Sequence, residues 1–457
     1  MGTQVKWTGA DATELRKALG ISQRKFAEVT GIKQPTIKKW VQRGALLTLS
    51  EEFAQIMDIV LTRATPQEVA RFEVATGRAS GPTTAVVAWS ADDSADCVDA
   101  AAELTRKDLM VDRRQASQAL IGVALGAGLL ENVERWLFFE DQSSTPGQPA
   151  GLGLHDVEQL ENVARAFRDW DDRLGGGLRR KAVVGQLAEV NDILRDRQPI
   201  RVEQRLWLVM AQLAETAATM SWDSGQQSMA QQYYALSARA ASRGEDPAFC
   251  AYSIAGMARQ LLSLDGSAAA GDALELIRIA HDRGRGALTP TVEAMLYTRE
   301  AWAYGQLGRP SAFRRACDKA RERFSDSDPA ADPFWVHYFD AAELAGTIGG
   351  RLLEMARHTP MFAAEAAEHI SAAIELRRPD RFRSGALDRL GLAEARIIEG
   401  EVDEACRVGH DALAMVEQTQ SDRVRVKASK VFKRTGRVKD VAAVAELRDR
   451  LRPLVST

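Results

Sequence analysis

Between Leu15 and Arg43 the chain carries Arg16, Lys17, Arg24, Lys25, Lys33, Lys38, Lys39 and Arg43 against a single acid, Glu28. That is a local charge of +7 in a chain of 457 residues whose formal net charge is −3. Positive charge concentrated in this way attracts phosphate. Set among these residues are Gln23, Gln34 and Thr36, neutral side chains that both donate and accept hydrogen bonds. The chemistry on offer is the gripping of a polyanion, with no bond made or broken. A solvated surface would explain any one of these lysines, so the case rests on the cluster coinciding with a particular set of local elements.

Residues that make bonds or hold metals are not arranged for it. His155, His281, His337, His358, His369 and His410 stand at no recognised ligand or triad spacing and read as surface or capping residues. Cys97, Cys250, Cys317 and Cys406 are scattered without a CxxC pair, which fits neither a disulfide framework nor a structural zinc site and suits a reducing cytosol. Gly175-Gly176-Gly177 lacks the GK[ST] ending of a phosphate loop and reads as a hinge. Asp92, Asp93 and Asp96 lack the glycine and closing glutamate of a calcium loop. The expectation is a protein with no active site, no metal and no cofactor.

The elements that must position the basic cluster are short helices. Asp11-Ala12-Thr13-Glu14 has the form of a capping box, followed by Leu15, Ala18 and Leu19 as an apolar stripe that ends at Gly20. Ser22 suits the cap of a second helix, over 23–29, that buries Phe26, Ala27 and Val29; Thr30-Gly31-Ile32 then makes a tight turn. A third helix has Pro35 in its first turn and turns Ile37 and Trp40 inward, while Gln34, Thr36, Lys38 and Lys39 face out. Thr48 with Glu51, and Thr65-Pro66-Gln67-Glu68, predict two more helix starts. Five short helices with a three-residue turn between the second and third predict a helix-turn-helix domain over 1–77.

The text LRKALGISQRKFAEVTGIKQPTIKKWVQRG resembles the lambda-repressor-like helix-turn-helix family, the Xre-type regulators. The resemblance is carried by Ser22-Gln23, Phe26-Ala27, Gly31, Ile37 and Trp40. The family usually has an acidic residue just after the Trp-like position and a glycine two residues later; here Val41-Gln42-Arg43 precedes Gly44. By this resemblance double-stranded DNA is the partner. Gln23 and its basic neighbours Arg24 and Lys25 would grip the backbone, as would Lys33, Lys38 and Arg43, and Gln34, Thr36 and Lys39 would read base edges in the major groove. Glutamine pairs bidentately with adenine and lysine with guanine, while Pro35 could touch a thymine methyl.

The remaining sequence divides by composition. At about 150 residues per domain, the length suggests two or three domains. Residues 78–111 read as an acidic linker, and 112–153 as an apolar helix followed by a soft Gly- and Pro-containing stretch. The uncharged run 119–130 follows Arg113-Arg114 like a twin-arginine signal, but it is internal and, at twelve residues, too short to span the roughly 30 Å bilayer core. No membrane association is expected. From 154 to 457 strand signals are almost absent, and Ala, Leu, Arg and Glu recur at helical spacing.

Tyr297, Ala301, Tyr304, Gly308 and Ala320 resemble a tetratricopeptide repeat, echoed by Gly225, Ala230 and Tyr234 and by Leu392, Ala393, Gly400, Ala405 and Ala412. Near 422–440, eight basic residues face two acids and read as a solvated capping helix, a phosphate-facing patch or a lock onto the acidic linker Asp92 to Glu103. The expected fold is all-α, a five-helix lambda-repressor-like domain followed by a tetratricopeptide-like solenoid, a layout that resembles large regulators of actinobacteria such as Streptomyces. The function implied is cytoplasmic, sequence-specific DNA binding by a homodimer whose repeats sense a peptide, small molecule or partner protein. The alternative is a repeat scaffold with only weak DNA contact. The asparagine clamp of peptide-sensing relatives is poorly supplied, since Asn132, Asn162 and Asn191 are the only asparagines.

Overall fold

A computed structural model describes residues 7–19, 22–30, 32, 34–44, 47–62, 72, 76, 97–110, 129–130, 133, 152–174, 180–264, 267–419 and 421–455. The described residues are helical apart from turns and one isolated bridge between Thr8 and Thr48. The chain divides into two compact units, Met1–Val87 and Ala88–Thr457.

In the first unit, α1 is Gly9–Ala18, α2 Gln23–Thr30, α3 Gln34–Arg43 and α4 Glu51–Thr62. The capping box of α1 lies three residues earlier than expected. The Thr8 hydroxyl accepts from the Asp11 amide at 3.3 Å, and the Asp11 carboxylate accepts from the Thr8 amide at 2.7 Å. Asp11 therefore closes the box rather than opening it. Thr48, expected as a cap, instead lies in the bridge with Thr8, where the Gly9 amide donates to Leu47 at 2.8 Å and the Leu49 amide to Trp7 at 2.9 Å.

The core of this unit gathers Trp7, Leu15, Phe26, Ile37, Trp40 and Met57, with Trp40 edge-on to Phe53 at 5.3 Å. The backbones of α1 and α3 approach so closely that a Cβ on Gly9 would sit 2.7 Å from the Trp40 carbonyl oxygen. Of the expected fifth helix, Phe72 and Thr76 are described; both are helical, and Phe72 stacks on Trp7 at 5.5 Å.

The second unit opens inside the stretch expected as a linker. Residues 78–96 lie outside the described residues, but α5 (Cys97–Met110) is a helix whose Cys97, Val98, Ala101 and Leu104 are buried in the core of this unit. Its apolar spacing is helical; the acids between had suggested solvated text. Asp108 in α5 is buried, paired with Arg180 and accepting from the Tyr233 hydroxyl at 2.8 Å. Of the expected apolar run, Leu129 and Leu130 are helical and Leu129 is buried, while 111–128 lies outside the described residues.

Next come α6 (Leu154–Leu174), α7 (Arg180–Ile193), α8 (Ile200–Asp223), α9 (Gln227–Arg243), α10 (Pro247–Ser263) and α11 (Ser267–Arg283). They are followed by α12 (Pro290–Gln306), α13 (Pro310–Ser325), α14 (Ala341–Ala356), α15 (Ala363–Leu376), α16 (Phe382–Glu399), α17 (Val402–Val416), α18 (Asp422–Arg434) and α19 (Ala442–Val455). From α8 onward consecutive helices pack in pairs, and the first members α8, α10, α12, α14, α16 and α18 also touch in series, forming one continuous wall. Gly225, Gly308 and Gly400, at φ of +76°, +65° and +94°, follow or close the ends of α8, α12 and α16 in a left-handed conformation that favours glycine.

The stack returns on itself, since α6 meets α16 and α8 meets α18. Ion pairs lock that closure. The Asp223 carboxylate accepts from Arg383 at 2.5 Å, from Arg423 and from Ser421 at 3.3 Å, while Asp171 lies 3.4 Å from Arg383. Arg423 belongs to the basic stretch read as a solvated cap or a phosphate patch, yet its side chain turns into the stack. No described helix is long and apolar enough to cross a membrane.

Candidate nucleic-acid interface

α2 begins after Ser22, whose carbonyl oxygen accepts from the Phe26 amide at 2.8 Å. Gln23 stands in the first turn, half-buried. At the other end the Thr30 hydroxyl donates to the Phe26 carbonyl at 2.7 Å and accepts from the Ile32 amide at 3.3 Å, and Ile32 is buried below the turn. The Thr30 hydroxyl thus ties the end of α2 to Ile32. Arg24 and Lys25 lie on α2, but their side chains are outside the described residues, as is all of Lys33.

α3 buries Ile37 and Trp40, at 2% and 3% exposure. At about 100° per residue, the direction opposite those two is taken by Pro35, Lys38, Lys39 and Gln42, all exposed. Gln34 is exposed at the helix N-terminus and Arg43 at its last turn. Thr36 is half-buried, on the flank nearer Trp40 rather than in the middle of the outward face. Gln42 was passed over in the sequence; its place one turn beyond Lys38 was the signal for it. Gly44, at φ +50°, follows the helix end, so Val41-Gln42-Arg43 continues α3 by most of a turn.

This outward row of amide and ammonium groups, on a helix held by two buried residues, can hydrogen-bond to base edges and attract phosphate at once. The neighbouring α1 adds less positive charge than its composition suggests, because Lys17 pairs with Glu14 at 2.7 Å.

The large aromatic side chains of the second unit divide between packing and cavity walls. Tyr233 and Tyr234 are fully buried and Trp207 nearly so, whereas Trp222 and Trp302 line a cavity inside the helical stack and Tyr252 lines a smaller one beside it. All four cysteines are buried and none forms a disulfide, and burial pushes the Cys250 thiol up to about 11 and Cys317 to about 12. Among the described residues no cluster of His, Cys, Asp and Glu is fit to hold a metal.

No curated protein and no solved structure matches the chain. Residues 13–51, from within α1 to the first residue of α4, match the family model described as Helix-turn-helix. This segment, which spans most of α1 together with α2 and α3, is therefore similar to helix-turn-helix domains of the Xre-like kind.

Proposed function

We propose that the protein is a sequence-specific transcriptional regulator that binds double-stranded DNA through α3, acts in the cytoplasm as a homodimer, and senses a signal through a tetratricopeptide-like repeat unit. The observation that carries the DNA assignment is the split of α3, with Ile37 and Trp40 buried and Pro35, Lys38, Lys39 and Gln42 turned outward. A domain that only packed against another protein would have no need for charged and amide side chains along that row. The paired helices, with their first members in series, support the repeat assignment, because such stacks present a continuous inner surface to ligands. A homodimer would place two copies of α3 on half-sites about one helical turn of DNA apart.

The test is binding of the full chain to duplex DNA at increasing salt. Affinity should fall steeply, with a slope of about −0.9 per phosphate neutralised. Arg43→Ala should reduce that slope by about one unit on every sequence, whereas Lys39→Ala should cost about 1–3 kcal/mol on the preferred sequence alone. Equal losses for both variants on preferred and random DNA would remove the base-reading role of Lys39. Binding insensitive to salt would favour a scaffold function for the repeats.

A further inference from the structure

The first helices α8, α10, α12, α14, α16 and α18 enclose a cavity of 310 Å³, within the size range of small-molecule sites. Its lining carries eight cationic side chains and four carboxylates. Several cations are matched. Arg377 pairs with Glu343 at 2.6 Å and Asp388 at 2.8 Å, Arg351 with Glu354 at 2.6 Å, Arg357 with Glu394 at 2.8 Å, and Arg423 with Asp223.

Arg259, Arg299 and Lys427 have no carboxylate within salt-bridge distance among the described residues. Arg299 is only 4% exposed; its Nη2 donates to the Tyr338 hydroxyl at 3.4 Å, and its Nη1 meets no acceptor. Arg259 lies over the Trp222 ring at 4.9 Å, and its Nε is likewise unmatched. A buried cation without an anion is costly; Arg299 is one, and Arg259 and Lys427 stand half-buried beside it.

The unmatched polar atoms on this wall are all of one kind. Arg259 Nε, Arg299 Nη1, Trp302 Nε1, Arg351 Nε and Arg423 Nη2 are hydrogen-bond donors, and they are the buried side-chain atoms of the lining that meet no partner among the described residues. A carboxylate or phosphate brings acceptors only, which suits a wall on which cations outnumber carboxylates eight to four. Burial lowers the Lys427 ammonium to about 8, with Arg357 and Arg351 acting in the same direction against Glu394 and Glu354, as befits a site short of negative charge. Met295, Phe339, Ile370, Leu387 and Val426 supply an apolar remainder.

We propose that this cavity is the effector site and that its ligand is a small organic dianion, a phosphate monoester or a dicarboxylate, carried on an apolar or aromatic body. The assignment rests on the sensing function proposed above and gives its ligand class. Two negative charges would answer the two unmatched guanidinium groups and share Lys427 between them.

The experiment is calorimetric titration of the full chain with phenyl phosphate, with phthalate and with neutral benzyl alcohol. Saturable binding of an anion, with none of benzyl alcohol, is the expected result, and the tighter of the two anions distinguishes phosphate from carboxylate. Arg299→Gln and Lys427→Met should each weaken binding at least tenfold. Gly350 lines the cavity, and a Cβ there would meet nothing within 4 Å. Gly350→Leu should therefore fill the space and abolish binding while every cation remains. Because leucine favours the helix more than glycine does, this variant decides the matter if Arg299→Gln fails to fold. Absence of saturable binding by either anion, or binding undiminished in Gly350→Leu and Lys427→Met, would overturn the assignment. No DNA enters the titration, so its failure would leave the DNA-binding function standing, and failure of DNA binding would leave this result untouched.

Discussion

Replacing Asp223 by asparagine keeps the shape of the closure between the two ends of the helical stack and removes its central charge. Burial alone would raise the Asp223 carboxyl, but Arg423 and Arg383 more than reverse this and hold it well below the usual carboxylate range. In the variant Arg383 keeps Asp171 at 3.4 Å, while Arg423 loses the one carboxylate within salt-bridge distance among the described residues. Removing one partner of a buried ion pair costs about 3–5 kcal/mol. The remaining Asp171 contact and the acceptor of the new amide place Asp223→Asn near the lower end, about 3 kcal/mol. That is a large fraction of a stability of about 5–15 kcal/mol.

Urea unfolding of the full chain followed by circular dichroism reads this directly, with Arg407→Ala as the control because Arg407 and Glu404 are both exposed. Since the Asp223 carboxyl is depressed, its contribution is present above the unfolded value of about 4 and is lost as pH falls below it. The gap between wild type and variant should therefore narrow in acid. A loss under about 1 kcal/mol at neutral pH, no larger than the control, would refute the closure as an energetic lock.

Asp171 acts with the opposite sign. Burial pushes it up to about 7, against Arg383 and with Asp223, so the folded unit takes up a proton before the unfolded chain does. Stability should rise as pH falls from about 8 towards 5, and Asp171→Asn should flatten that rise in urea titrations at several pH values. Gly9→Ala should destabilise the N-terminal unit and weaken DNA binding, because the added Cβ would meet the Trp40 carbonyl oxygen at 2.7 Å; unfolding of the unit with wild-type stability would contradict this contact. Anion binding in the cavity should weaken as pH rises past about 8, where Lys427 loses its charge, and Lys427→Met should remove that dependence in calorimetry.

What was legible in the sequence is what repeats locally. Ile37 and Trp40 are three apart, so the buried and outward faces of α3 follow from helical spacing alone, and Gly225, Gly308 and Gly400 mark helix ends through a conformation that favours glycine. The start of α1 was misplaced because Asp11 can open a capping box as readily as close one; only the bridge between Thr8 and Thr48, forty residues apart, decides which. The helix at Cys97–Met110 was hidden by acids between apolar positions that pack on distant helices.

Least legible was the cavity. Its cations come from helices spread from Arg259 to Lys430, and no short motif links Arg299 to Lys427. The basic stretch after 421 looked like a uniform surface charge, but tertiary packing divides it: Arg425 stays exposed while Arg423 and Lys427 turn inward.

The central claim, that α3 reads DNA sequence, is tested most directly by selecting from a random duplex library with the full chain and repeating the selection with Lys39→Ala. The account predicts one enriched motif, with two half-sites about one helical turn apart, and a variant motif that relaxes at a single base position in each half-site. No enrichment over the starting library, or the same motif at every position from both proteins, would contradict it.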